Sequence, residues 1–104
     1  MKKYKESEDC YNLIIKEESN YKVAHFNLGN TLDEQGKYKE AILCYQMAVK
    51  IDGKYKRAFF NMGVTYNCIK NYEEAIKCYL EVLKLDSKFK DAYLSVILYC
   101  IGRN

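Results

Sequence analysis

The chain contains no proline and no tryptophan, only one histidine, and five glycines in 104 residues. The absence of proline removes the residue that kinks helices and marks strand edges. So few glycines leave little material for the many tight corners of a sandwich or barrel. Helices joined by short turns fit this composition. A single histidine, His25, is a narrow base for imidazole acid–base chemistry. No Gly-rich phosphate loop occurs, and no pair of carboxylates stands apart from the general run of charges. No apolar run approaches the roughly 20 residues that span a membrane, and the charged start MKKYKESEDCYNLII lacks a secretory core. A block of one charge sign is missing as well. The 17 basic and 14 acidic residues intermingle, as in KKYKESED and KNYEEAIK, for a net charge of +3. Nucleic-acid binding needs a basic stripe or cluster, so no nucleic-acid partner is expected, and no membrane.

What the chain does have is enough apolar material for one domain, at 49% hydrophobic and 30% charged. Eleven tyrosines carry the aromatic bulk. Five cysteines, an odd number without a secretory signal, suggest reduced thiols and a cytoplasmic or nuclear setting. Cys10, Cys44 and Cys78 recur at one position of successive units, yet no C-x-x-C occurs. Equivalent positions on stacked helices lie too far apart to share a zinc ion with bonds near 2.3 Å. The residues read as small apolar filler, and no metal, cofactor or disulfide is expected.

The organising feature is a repeat. Residues 22–55 and 56–89 align without a gap and agree at 15 of 34 positions. Residues 3–21 match the second half of such a unit, and residues 90–104 begin another. Within unit two, Ala58, Phe59, Met62, Gly63 and Tyr66 share one helical face. Tyr72, Ala75, Ile76, Tyr79, Val82 and Leu83 share another at steps of three and four. Each unit therefore predicts two helices of about 14 residues, roughly 21 Å long. Neither helix hides its apolar face alone, so the stack is the folding unit. Gly29 and Gly63 let the first helix approach the second, and Ala41 and Ala75 do the same from the other side. The expectation is all-α, with about six helices in antiparallel pairs and second-type helices near 4–17 and first-type helices ending with 90–102.

These residues resemble the tetratricopeptide repeat. Unit one supplies His25, Leu28-Gly29, Leu32, Ala41, Tyr45 and Ala48, and unit two supplies Phe59, Met62-Gly63, Tyr66, Ala75, Tyr79 and Val82. Gly53 and Ser87 replace the usual proline, which is expected to loosen the turn. The resemblance implies a right-handed α-α superhelix and a non-catalytic scaffold that holds a peptide or partner protein in a concave groove. It also leaves open a substrate-binding arm of a larger enzyme, such as an O-linked N-acetylglucosamine transferase-like glycosyltransferase, or a self-association module.

Carried over residue by residue, the resemblance places Val23, Phe26, Asn27, Asn30, Asp33 and Glu34 in the groove from the first helix of unit one. Arg57, Phe60, Asn61, Val64, Asn67 and Cys68 follow from unit two, then Asp91, Leu94, Ser95 and Leu98. Two ladders run at a spacing of 34: Phe26, Phe60, Leu94 and Asn27, Asn61, Ser95. An Asn amide pairs with both a peptide C=O and an N–H, so such a row suits an extended chain. Asn61 is expected to act on ligand with little effect on stability. The family's carboxylate clamp for acidic chaperone tails is a poor match. Its Asn positions are filled by Asn30 and Asn61, but its basic positions hold Phe26, Asp91 and Ser95, which cannot pair a carboxylate.

The chain is out of phase with whole units, which reads as a piece of a larger protein. Ser7 and Glu8 replace the apolar pairs Ala41-Ile42 and Ala75-Ile76 and are expected to face a preceding helix position. The last segment, YLSVILYCIG, is apolar almost all round. Tyr93, Val96, Ile97, Cys100 and Ile101 are expected to seek cover in a homo-oligomer.

Overall fold

The computed structural model describes residues 3–102. They form six helices: α1 (Tyr4–Glu17), α2 (Lys22–Glu34), α3 (Tyr38–Ile51), α4 (Lys56–Cys68), α5 (Tyr72–Leu85) and α6 (Lys90–Gly102). No strand occurs among the described residues. Each helix packs on the next in chain order, and the stack measures 46 × 28 × 20 Å. The all-α solenoid expected from the repeat is the fold.

A glycine–tyrosine contact recurs at the centre of each complete unit. Tyr45 and Tyr79 are buried to 0% and 1% exposure. A Cβ placed on Gly29 would lie 2.7 Å from Cε1 of Tyr45, and one on Gly63 would lie 2.7 Å from Cε1 of Tyr79. The ring of the second helix thus rests on bare backbone of the first. Ala41, Ala58, Ala75 and Ala92 are fully buried between helices, where anything larger would overpack the contact.

The turns repeat too. After α2 and α4 the chain closes with a left-handed residue, Gly36 at φ 81° and Lys70 at φ 62°. The N–H groups of Lys37 and Asn71 then reach back to the carbonyls of Leu32 and Tyr66, each at 2.9 Å. This is the Schellman closure that satisfies helix-end carbonyls. After α3 and α5 the expected loosening at Gly53 and Ser87 is not found, because an aspartate closes each turn. Asp52 accepts from the Lys54 N–H at 3.0 Å and Asp86 from the Lys88 N–H at 3.1 Å. Each aspartate also pairs with the lysine that opens its unit: Asp52 with Lys22, and Asp86 with Lys56 at 3.0 Å. Those pairs hold both carboxyls below the usual carboxylate range.

The ends are thinner than the middle. No residue of α1 is buried, and Ala92 is the one buried residue of α6. Ser7 and Glu8 are half-buried, and Glu8 does not simply face a preceding helix position. It accepts a hydrogen bond from Gln35 and lies 3.9 Å from Lys37 Nζ, so it points at unit one. The same positions one unit later are Ile42 and Ile69, which share one apolar cluster. A polar link in the first step replaces an apolar one in the second.

Candidate interaction surface

The positions of α2, α4 and α6 that the resemblance assigns to a groove carry the candidate site. Asn30 and Asn61 are not independent rungs. The Asn61 amide donates to Asn30 Oδ1 at 2.9 Å, and the Tyr45 hydroxyl donates to the same oxygen at 2.6 Å. Thr65 Oγ1 donates to Asp33 Oδ2 at 2.9 Å, and the Tyr45 hydroxyl lies 3.4 Å from it. One network therefore joins α2, α3 and α4. Asn61, expected to act on ligand alone, has part of its amide committed to the packing of neighbouring helices. The buried Thr65 and the Tyr45 hydroxyl were not foreseen as members. Burial pushes the Tyr45 hydroxyl well above the ordinary tyrosine range, with the charge of Asp33 adding to the effect. It stays a hydrogen-bond donor at all physiological pH.

One unit later the network changes composition. Tyr79 accepts from Asn67 at 3.1 Å and interacts with Ser95. Val64 stands where Asn30 stood, and Tyr99 where Thr65 stood. Ser95 Oγ also turns back to the Asp91 carbonyl at 2.8 Å. A notch of about 260 Å³ opens here, lined by Asn67, Tyr72, Ile76, Tyr79, Ser95, Leu98 and Tyr99.

The aromatic row divides. Phe26 is only 4% exposed. Its ring packs on Tyr45 at 6.0 Å and Tyr55 at 5.1 Å, and the Arg57 guanidinium lies 5.5 Å above it. Phe26 is therefore part of the packing between helices and leaves a ligand almost no surface. Phe60 is half-buried against Tyr79 and Phe89. Leu94 stands exposed, as do Val64 and Leu98, which occupy one position of successive units. Asn27 is half-buried, and its amide makes no hydrogen bond among the described residues. Arg57 is exposed.

The remaining expected residues fall as follows. Tyr93, Ile97 and Ile101 are exposed at 54%, 38% and 63%, Cys100 is exposed, and Val96 packs into the cluster around Tyr79. His25 is buried, and its Nε2 donates to the Ser19 carbonyl at 2.8 Å, so it fastens the α1–α2 turn. Burial pushes the Cys44 thiol up to about 11 and the Cys78 thiol up to about 12, which makes both poor nucleophiles. Among the described residues there is no group of three His, Cys, Asp or Glu side chains able to hold a metal. Nor is any helix among them long and apolar enough to cross a membrane.

Antiparallel helix pairs, a glycine under a tyrosine in each, and a 34-residue spacing of every turn contact define a helical-repeat protein of the two-helix class. The Tetratricopeptide repeat family profile matches residues 23–55 and 57–89. The chain belongs to that family. No curated protein matches it. Solved structures do. A crystal structure of MamA is 21% identical with a TM-score of 0.88, covering 92% of this chain and 56% of that one. A second MamA structure gives 20% and 0.89, covering 96% and 55%. The first TPR of Spaghetti (RPAP3), bound to HSP90 peptide SRMEEVD, gives 23% and 0.88, covering 95% and 79%. At such identities the likeness is one of fold. The chain spans just over half the length of the MamA chains.

Proposed function

We propose that the chain is a non-catalytic protein-interaction module that holds an extended polypeptide along α2, α4 and α6. The family supports a protein-binding role, and a neighbour of the same fold carries a peptide. The observation that carries the reading for this chain is the exposed row Val64, Leu94 and Leu98, at 39%, 55% and 68%, beside the half-buried amide of Asn27. Apolar side chains of a ligand would meet the row, and its main chain would meet Asn27 and the remaining capacity of Asn61. An acidic chaperone tail is not the ligand of this reading, because Asp91 and Ser95 stand where the clamp needs cations.

The test starts from peptides selected on the 104-residue chain from a display library of short linear sequences. Titration of a selected peptide against Val64→Glu should show at least about tenfold weaker binding, and Asn27→Ala a loss near the 0.5–1.5 kcal/mol of one hydrogen bond. Leu43→Glu, on the opposite face and 66% exposed, should bind as the parent does. Asn61→Ala should now also lower stability by about 1 kcal/mol, since it strips the Asn30 carbonyl of a donor. Selected peptides that ignore Val64→Glu and are lost on Leu43→Glu would move the site off the groove.

A further inference from the structure

The exposed face of α6 breaks the register that the rest of the stack keeps. Position 29 is glycine, position 63 is glycine, and position 97 is isoleucine. A lone Cβ at either glycine already comes within 2.7 Å of the tyrosine ring laid over it. Ile97 brings that carbon and three more. α6 therefore cannot receive a helix as α2 receives α3, with a tyrosine crossing at that point. This bears directly on how two copies could meet. α1 stands in the register of α3 and α5, with Tyr11 matching Tyr45 and Tyr79. A head-to-tail stack would lay α1 of one copy on α6 of the next and drive Tyr11 against Ile97.

We propose that α6 is an isologous interface, pairing with α6 of a second copy of this chain about a two-fold axis. From Ala92 to Gly102 the helix carries no charge, so two copies placed face to face bring no like charges together. Tyr93, Ile97 and Ile101 follow one another at steps of four, with Leu94 and Leu98 alongside, which is the spacing of a helix–helix seam. Bare over a third to two-thirds of their surface, these five side chains expose on the order of 500 Å², and two copies reach the roughly 1,000 Å² at which specific interfaces begin. An apolar, uncharged face that meets its own copy about a two-fold axis closes as a dimer. Leu94 and Leu98 also belong to the exposed row proposed above to meet a peptide, so a second copy and a peptide compete for that edge of α6; Tyr93, Ile97 and Ile101 lie outside that row.

Sedimentation of the 104-residue chain in reductant, over a hundredfold concentration range, should show the mass rising from one chain to two and stopping there. Ile97→Glu and Ile97→Lys should each be monomeric with an unchanged helical spectrum. Mixed in equal amounts, they should recover a dimer, because the two-fold sets position 97 of one copy near position 97 of the other. Leu13→Glu on α1, 61% exposed, should dimerise as the parent does, and Ile101→Glu gives a second reading should the Ile97 variants lose helix. Three results would each overturn the proposal: a parent that stays monomeric throughout, a mass that climbs past two chains and is abolished by Leu13→Glu, or charge variants that remain apart when mixed.

Discussion

In the two inner steps of the stack a tyrosine lies on a glycine; at α6 the glycine position is filled by Ile97 and no ring lies over it. Gly29 and Gly63 have no Cβ because Tyr45 and Tyr79 occupy the space that a Cβ would take, at 2.7 Å in both cases. Ile97 is 38% exposed, and in this structure nothing constrains its size. Among the described helices, a glycine stands at this position where a tyrosine of the next helix lies against it, and a larger side chain stands at α6. A residue's departure from the repeat pattern marks a change of neighbours, not a weakening of the helix.

The sharpest way to break the comparison is to put an α6-like side chain inside a closed step. Gly29→Val should cost about 2–3 kcal/mol by overpacking a ring that has no room to retreat, because its hydroxyl is held by Asn30 at 2.6 Å. Valine's better helix propensity returns only about 0.5 kcal/mol, so overpacking decides the sign. The midpoint of urea unfolding measures it. Gly53→Val is the control: nothing lies within 4 Å of its Cβ position, and the change should stay within about 0.5 kcal/mol. A near-neutral Gly29→Val would mean that the glycine–tyrosine contact is not what closes the pair.

A smaller effect sharpens the likeness between the two units. Gly36 and Lys70 occupy one turn position, and both are left-handed. A side chain there costs about 1–2 kcal/mol, part of which glycine gives back as lost chain freedom on folding. Lys70→Gly should therefore stabilise by about 0.5–1 kcal/mol, read from the same unfolding midpoint. A loss of stability would show that the lysine has a compensating contact at that turn.

How much of this was legible beforehand follows from the range of each interaction. Helix number and bounds were readable because the small and aromatic positions recur every 34 residues, and each position is set by neighbours three and four residues away. The turn at Lys70 was readable in principle, since a glycine stands one period earlier, but IKNY alone shows only a turn. The groove was less readable. Asn30 and Asn61 stand at ligand-facing positions of the pattern, yet those positions adjoin the line where α2 meets α4, and distance alone decides which partner an amide takes. Phe26 shows the same limit: Tyr55 and Arg57, which cover it, belong to another helix and its turn. The repeat pattern turns Glu8 toward a preceding helix position, whereas Gln35 and Lys37 of unit one take it.

The finest distinction between the units is one atom at positions 33 and 67, aspartate in the first and asparagine in the second. Burial raises the Asp33 carboxyl above its ordinary value, against the opposing hydrogen bonds from Thr65 and Tyr45, and the nearby charge of Glu34 adds to the rise. The native state therefore holds the Asp33 proton more tightly than the unfolded chain does. Between the ordinary carboxylate value and the raised one, stability falls as pH rises, and the penalty is complete above that window. Asp52 and Asp86 act with the opposite sign. Lys22 and Lys56 hold them low, so their contribution is present above the ordinary value and is lost as pH falls through the lowered ones. Asp33→Asn keeps an acceptor for Thr65, removes the titration, and copies unit two. It should raise the thermal midpoint at pH 7, by less than either change above, and give no gain at pH 3, where Asp33 is already protonated. The gain should fade between those limits with no change in the part contributed by Asp52 and Asp86. If Asp33→Asn lowers the midpoint at pH 7, the charged hydrogen bond to Thr65 outweighs the cost of burying the carboxylate, and the two units differ at this position because the first one needs the charge.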